Sequence, residues 1–490
     1  MFEFVQSGVS LHDEKLKTKS RSYLADAFIR FRKNKSSVVA ACIIGVLILF
    51  SIFAPIISPY TVYDKDDVYQ NFPPFIREIA DKNLGIFDGA KAYPSQNEFQ
   101  TAKYKAIGVE TGYNPIISES VQVVDGKNVY SLVVNRYFAY GVLEVNMSYE
   151  KFAAIQQWQV ENNLQVILPY VDGATDPNVW YKTKEVKVDR KMITVPDYDA
   201  DGNFIPNYDT NVSKAGPVEV LKRIEGDDGS YVYSRDKSNS VTCRVCYYNY
   251  YQYTKGREPA YIMGTDSYGR DLFDAIGTGA RFSLVFAVIV SAINLTIGAI
   301  YGSIQGYYGG FIDLALDRVS DILSGVPTIV VMTLFQLHLA QKVGVVPSFL
   351  FAYIMTGWIG MAALTRKQFY RFKSQEYVLA ARTLGASDRR LMFKHIFPNS
   401  LGTMVTSCVL VIPGVISSET TLTYLGIVNL STFVGTSLGE LMELGQKAMA
   451  TAPHAMLFPA MFLSLLLISF NLFGNGLRDA FNPSTRGVED

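Results

Sequence analysis

Six runs of mostly apolar residues, at 38–58, 280–303, 325–341, 346–365, 401–424 and 454–474, decide what this chain can fold into. Each is close to the roughly 20 residues an α-helix needs to cross the hydrocarbon core of a bilayer. Inside that core every backbone N–H and C=O needs a partner within the protein, so such runs become helices. Between the first two runs lies a polar block, about 61–262, rich in Tyr, Asp, Asn and Lys. It is long enough to bury a core of its own. The expected fold is an all-α membrane bundle of six transmembrane helices with an inserted α+β domain, mostly β. Its parts are 1–60 (a tail, an interfacial helix and the first span), 61–262 (the insertion) and 263–490 (a core with five further spans).

Charge supplies the orientation. The chain is formally neutral, but the insertion holds 22 basic and 27 acidic side chains, so the remainder carries an excess of five positive charges. Lys15, Lys17, Lys19, Arg21, Arg30, Arg32, Lys33 and Lys35 precede the first run. Arg366, Lys367, Arg371, Lys373, Arg382, Arg389, Arg390 and Lys394 lie between the fourth and fifth. With six spans both groups fall on the same side as the C-terminus. Basic loops stay in the cytoplasm, so both termini are expected there, with 61–262 outside the plasma membrane. No small-residue cleavage site follows the first run, which reads as an uncleaved anchor. Leu24, Phe28 and Phe31 fall at helical spacing among Arg and Lys, the pattern of an interfacial helix. No basic patch interleaved with aromatics points to nucleic acid.

Within the spans, Pro327, Pro413 and Pro459 are tolerable because neighbouring helices can satisfy the freed carbonyls. A short turn near Gly344–Pro347 is expected between the third and fourth spans. Asn294 and Asn471 read as interhelical hydrogen-bonding groups. Glu419, in Ser417-Ser-Glu-Thr-Thr421 toward the outer end of the fifth span, reads two ways. An ionisable group inside a span is a functional candidate, and a helix-end carboxylate can also simply reach the interface.

In the insertion, Gln122–Val134 runs around Asp125-Gly126 as a β-hairpin. Val218–Arg223 and Ser230–Tyr233 flank Gly226-Asp-Asp-Gly229 in the same way. Tyr149–Asn162 reads as a helix with Phe152, Ile155 and Val160 on its buried face. Asp197-Tyr-Asp-Ala-Asp-Gly-Asn203 resembles the first half of a Ca²⁺ loop, but Tyr208 stands where a bidentate Glu is needed. An Asp-Gly turn explains the same residues, and no metal site is assigned. Cys42 and Cys408 lie in apolar runs, while Cys243 and Cys246 sit three apart on a strand, where an intrastrand disulfide is strained. His12, His338, His395 and His454 fall outside the insertion, and no nucleophile–His pair is visible. No catalytic residue is assigned, and the chain is expected not to be an enzyme.

Three motifs stand out. Glu376-Tyr-Val-Leu-Ala-Ala-Arg-Thr-Leu-Gly-Ala-Ser-Asp388, continuing to Pro398, reads as two short surface helices joined at Gly385. Ser374 and Ser387 are the expected caps, Glu376 sits in a first turn where negative charge is favourable, and Pro398 is the expected stop. Ala380 and Ala381 leave a shallow face for another protein. The second motif, Gly264-Thr-Asp-Ser-Tyr-Gly-Arg-Asp271, precedes the second span. Its glycines free turns, and Asp266, Arg270 and Asp271 can tie them by charge. It is no phosphate loop, because no strand leads in and no Gly-Lys-Ser/Thr follows. The third motif is Phe470-Asn-Leu-Phe-Gly-Asn-Gly-Leu-Arg-Asp-Ala-Phe-Asn-Pro483.

Together these motifs resemble the C-type permease subunits of dipeptide and oligopeptide binding-protein-dependent ABC importers. The likeness covers about 15–60 and 263–490 and leaves out 61–262. Leu379 stands where the family's coupling glutamate is usual, with Glu376 one turn earlier. Asn475 and Asn482 replace aspartates, and Thr436-Ser-Leu-Gly439 departs from the common Pro-Ser-Trp-Gly. The resemblance implies that 374–398 couples to separate ATPase subunits through Glu376, Ala380, Ala381, Arg382, Gly385, Ala386, Asp388 and Pro398. Gly264, Thr265, Asp266, Gly269, Arg270 and Asp271 are its motif before the second span, and Glu419 is a candidate for the translocation path. It implies a B-type permease partner, two ATPase subunits that bind ATP and Mg, an extracellular peptide-binding protein, peptide substrate and surrounding lipid. This chain itself needs no cofactor and has no P-loop. An importer of nickel or another small solute is the alternative within the family, and a membrane-anchored receptor or adhesin is the alternative outside it. The insertion is expected to help dock the loaded binding protein.

Overall fold

The computed structural model describes residues 23–481 apart from 83, 125–126, 172–174, 189–190, 211–217 and 222–230. Lys15, Lys17, Lys19, Arg21, His12, Asp125-Gly126, Arg223, Gly226–Gly229 and Asn482-Pro483 therefore lie outside the described residues. The chain forms two compact units. One comprises Met1–Phe53, Gly279–Glu440 and Met461–Asp490, and the other Ala54–Thr278 and Leu441–Ala460. The second is wider than the polar block read from the sequence.

Among the described residues, Lys35–Ile57, Leu272–Tyr308, Val345–Phe372, Asp388–Tyr424 and His454–Phe481 are long and apolar enough to cross a membrane. The third expected span needs correction. In place of one helix over 325–341, Gly310–Ser324 and Thr328–His338 meet at a 72° bend. Pro327 lacks an N–H and disfavours helix at the residue before it, so the break falls where the apolar run begins. The 310–324 helix mixes Asp313, Asp317 and Asp321 with exposed Phe311 and Ile322, so a search for apolar runs passes over it. Gly344, with φ +94°, turns the chain into the next helix as expected.

Tyr23–Lys33 is a separate helix, and Asn34 starts the first span by accepting a hydrogen bond from the Ser37 N–H at 3.3 Å. Close helix approach is set by glycine. On the helix Leu272–Tyr308, Gly298, Gly302 and Gly306 recur every fourth residue. A Cβ there would fall 2.7 Å from Met361 Cβ, 2.2 Å from Ala362 O and 2.6 Å from Phe369 Cβ respectively. This small-residue stripe seats the helix Ile359–Lys373, because helices in lipid associate by close packing. The third motif works alike: a Cβ on Gly474 would meet Leu410 at 2.4 Å, and one on Gly476 would meet Ser37 at 1.9 Å.

The second unit holds nine described strands: β1 (Ala90–Gln96), β2 (Ile116–Val124), β3 (Lys127–Asn135), β4 (Val142–Met147), β5 (Ile167–Leu168), β6 (Thr183–Val188), β7 (Lys191–Pro196), β8 (Arg235–Lys237) and β9 (Ser240–Cys246). They form antiparallel sheets in the orders β1-β3-β2 and β4-β9-β5, with β8 also on β9, and the hairpin β6-β7. The 122–134 hairpin forms as β2–β3. The second expected hairpin does not: the described parts of 218–221 and 231–234 carry no strand, and the turn closes instead between β8 and β9. The helix Tyr149–Asn162 forms, capped by Ser148, but it buries Phe152, Ile155 and Gln159, leaving Val160 exposed. Gln159 can replace an apolar residue because its amide accepts from the N–H groups of Val166 and Ile167, both at 3.2 Å, and donates to Glu219 O at 2.8 Å.

The core is unusually tyrosine-rich. Tyr69, Tyr137, Tyr247, Tyr251 and Tyr261 are buried with Phe72 and Phe75. Cys243 and Cys246 are buried and form no disulfide, and burial pushes the Cys243 thiol up to about 12. In 197–203, the Asp199 carboxylate accepts from the N–H groups of Asp201 at 2.9 Å and Asn203 at 2.8 Å, as a turn requires. Tyr208 is buried, stacked on Trp180 with ring centroids 5.4 Å apart.

Candidate functional site

The segment expected to couple consists of the helices Glu376–Thr383 and Asp388–Arg390, the latter running through a π-helical stretch, Leu391–Ile396, into Phe397–Tyr424. Val378, Leu391, Met392 and Ile396 face inward onto Tyr307 and Phe369, the ends of two long helices. Gly385, with φ +83°, makes the break, as expected. Three expectations are corrected. Gln375, not Ser374, is the N-cap residue and makes no side-chain cap, because Ser374 ends the preceding helix. Ser387 stands at the N-cap of the second helix but makes no side-chain cap bond. Pro398 does not stop the helix. It lies in the first turn of Phe397–Tyr424, and the wider π turn before it takes up the geometry where a proline N–H is missing.

The outward face holds exposed Glu376, Ala380, Arg382, Gly385, Asp388 and Pro398, with Leu384 88% exposed. Ala381 and Ala386 are half-buried on the inner cluster. Asp388 accepts from the Tyr307 hydroxyl at 2.5 Å, and Arg382 donates to the same oxygen at 3.5 Å. Arg366, on the helix leading in, donates to Asp313 and Asp317, both at 2.7 Å, and Tyr370 donates to Asp313. An exposed pair of short helices thus packs on the ends of longer ones.

The Gly264–Asp271 motif is a buried knot. Asp266 accepts from the N–H groups of Tyr268 at 2.8 Å and Arg270 at 2.9 Å and pairs with the Arg270 side chain at 2.7 Å. Thr265 accepts from the Phe72 N–H at 2.8 Å and donates to Tyr69 O. A Cβ on Gly269 would fall 2.0 Å from Asp66 O, so only glycine fits. Asp271 accepts from Ser58 at 2.8 Å and from the Phe273 N–H at 3.2 Å, while burial pushes its carboxyl up to about 6. Asp66 in turn accepts from Tyr247 at 2.9 Å. The motif ties the entry and exit of the insertion together and offers no open chemistry.

Glu419 is fully buried. It accepts from Ser283 at 2.7 Å, and its other oxygen has no partner among the described residues. Next to it in sequence, Ser418 accepts from Tyr353 at 2.9 Å and lines a cavity of about 490 Å³. Asn294, Ser324, Thr328, Tyr353 and Thr356 also line it, while Glu419 does not. Ser324 and Thr328 flank the bend at Pro327, so the break that the apolar pattern missed helps build the cavity. The expected interhelical roles of the asparagines are corrected. Asn471 donates to Leu467 O, one turn back on its own helix, at 2.9 Å. Asn294 is buried with its amide oxygen unpartnered among the described residues.

The sequence that builds these elements has known relatives. Residues 294–487 match the family described as binding-protein-dependent transport system inner membrane component. Residues 22–74 match the N-terminal TM domain of oligopeptide transport permease C. The oligopeptide transport system permease protein OppC of Bacillus subtilis is 39% identical over 224 residues, 46% of this chain and 72% of the relative. The chain belongs to this permease family. The permease is also 38% identical over 231 residues to the dipeptide transport system permease protein DppC of Lactococcus lactis subsp. cremoris, covering 47% of this chain and 65% of that one. A solved methionine ABC transporter in inward facing conformations matches 42% of this permease and 96% of its own chain at 14% identity, but with a TM-score of 0.35 it carries no argument. The permease is a helical, multi-pass membrane protein.

Proposed function

We propose that this permease forms half of the membrane path of an ATP-driven importer of oligopeptides or dipeptides. The observation that carries the reading is the coupling segment: an exposed pair of short helices whose inner face is fixed to the ends of long membrane helices. The chain has no phosphate loop, so ATP is bound with Mg and hydrolysed by two separate subunits docked on 374–398. Their closure pushes the cluster around Val378 and Ile396. That biases the bundle between two states, while a loaded binding protein biases it from outside. A B-type permease supplies the other half of the path. The basic 366–394 stretch lies in the cytoplasm with both termini, the bent pair counts as the sixth span, and 61–262 is extracellular and helps seat the binding protein. A receptor or adhesin has no use for the coupling segment. Among the same-family alternatives, nickel is disfavoured on this half of the path, since among the described residues no carboxylate, imidazole or thiolate lines the cavity.

The test is co-purification with two ATPase subunits, a second permease and a peptide-loaded receptor, together with topology. In a Cys42→Ser, Cys408→Ser background the buried Cys243 and Cys246 stay silent. Glu161→Cys and Lys184→Cys should react with an impermeant thiol reagent in intact cells, and Ser374→Cys only after permeabilisation. The reversed pattern sinks the orientation.

A further inference from the structure

We infer that the Asn294 cavity is a resting site for the peptide group itself, recognising backbone amides while ignoring side-chain charge. The inference rests on the peptide-importer reading and specifies how this half of the path would hold its cargo. Among the described residues no Asp, Glu, Lys, Arg or His lines the cavity, so neither a charged side chain nor a charged terminus finds a counter-charge there. What it offers is a neutral hydrogen-bonding pair. Asn294 is 3% exposed, its amide oxygen has no partner among the described residues, and its side chain lines both this cavity and a smaller one of about 180 Å³. A buried acceptor left unpaired is costly, and an N–H donor arriving in the cavity removes the penalty once the Asn294 amide, whose oxygen is closed off in this state, turns toward it. Ser418 already accepts from Tyr353 at 2.9 Å, which leaves its own hydroxyl proton to donate. One acceptor and one donor in an uncharged setting are the complement of a peptide N–H and C=O. The remaining lining mixes hydroxyls with Val, Met and Gly. At about 490 Å³ it falls within the roughly 300–1,000 Å³ range of sites that hold small ligands.

Gly357 is part of the device. A Cβ there would fall 2.3 Å from Asn294 Nδ2, so only glycine lets the amide lie where it does. An importer faced with varied peptides has one invariant to hold, the backbone, and a site without charge neither traps nor rejects any side chain by its sign.

The experiment uses the complete transporter with its receptor and ATPases in proteoliposomes. The probes are labelled tri-alanine and the same tripeptide N-methylated at its central amide, with receptor affinity for each measured separately. After that correction the wild type should prefer the unmodified probe about tenfold, one good hydrogen bond's worth. Asn294→Leu should cut uptake of tri-alanine about tenfold and bring the preference close to one, while ATPase stimulation by loaded receptor persists. Asn294→Ser, which shortens the acceptor's reach, and Gly357→Ala, which displaces the amide, should move the preference the same way. They decide the matter if the leucine variant does not assemble. An undiminished preference in these variants, or an equal loss for both probes, overturns the inference while leaving the peptide reading intact. If the wild type moves neither probe, the peptide reading fails and takes the inference with it.

Discussion

In the unit that contains the insertion, Arg244 and Glu110 are both buried and meet through parallel hydrogen bonds of 2.8 and 2.9 Å. Tyr208 donates to the same carboxylate at 3.1 Å, and Arg244 donates onward to the carbonyls of Pro177 and Pro169. In the helical unit Glu419 is just as buried, yet it receives the Ser283 hydroxyl and a weaker contact at 3.4 Å from Thr420, and one oxygen stays open. Asn294 has the same defect. The insertion pairs its deepest charge completely, as a static scaffold must, since an unpaired buried charge costs several kcal/mol. The bundle leaves one oxygen of Glu419 and the amide oxygen of Asn294 unfilled among the described residues.

The largest effect that could break this contrast lies at the coupling segment. Ala381→Glu puts an unpaired carboxylate against the Val378 and Ile396 cluster. Uptake in proteoliposomes should fall by about 100-fold or more, given the several kcal/mol such a charge costs, while membrane insertion survives. Gly385→Val should act in the same direction through its positive φ. Wild-type uptake in both would remove the coupling assignment.

Next comes the scaffold. Arg244→Met leaves Glu110 charged and buried, and should lower the unfolding stability of that unit by about 3–5 kcal/mol. Arg244→Met with Glu110→Leu should recover most of it. Thermal melts of the purified protein check this. A single variant as stable as the wild type would mean that the pair is not the closed site described above.

The smallest effect is a pH dependence at the knot. Asp271 has a folded-state carboxyl pKa of about 6, above the ordinary value of 3.8. Its contribution to stability is fully present below pH 4 and is lost as pH rises through 6, because the folded state holds the proton more tightly. That amounts to ~2–3 kcal/mol between the two limits. Asp271→Asn should flatten this part of the melting profile. A profile unchanged by the substitution would show that burial does not control the group.

The spans were legible because lipid imposes a length, a property of runs of residues, and five of the six followed from it. The break at Gly385 was legible for a local reason, the backbone freedom of glycine. What went astray depended on neighbours. The bend at Pro327 was hidden because the helix before it is amphipathic, and Pro398 continues a helix because a π turn makes room for it. Gln159 could not be told from Val160 until the N–H groups of Val166 and Ile167 came to meet it. The repeat Gly298, Gly302 and Gly306 drew no reading from the sequence, because what it packs against lies on a helix some 60 residues further along the chain. The sequence by itself determined five of the runs long and apolar enough to cross a membrane, the helix break at Gly385 and which family the motifs resemble, since these follow from composition, local backbone chemistry and short spacing. Only the tertiary structure decided that Asn294 and not Glu419 faces the cavity, and that Gly264–Asp271 is a knot tying the insertion's ends, because burial and hydrogen-bond partners are set by residues far apart in the chain.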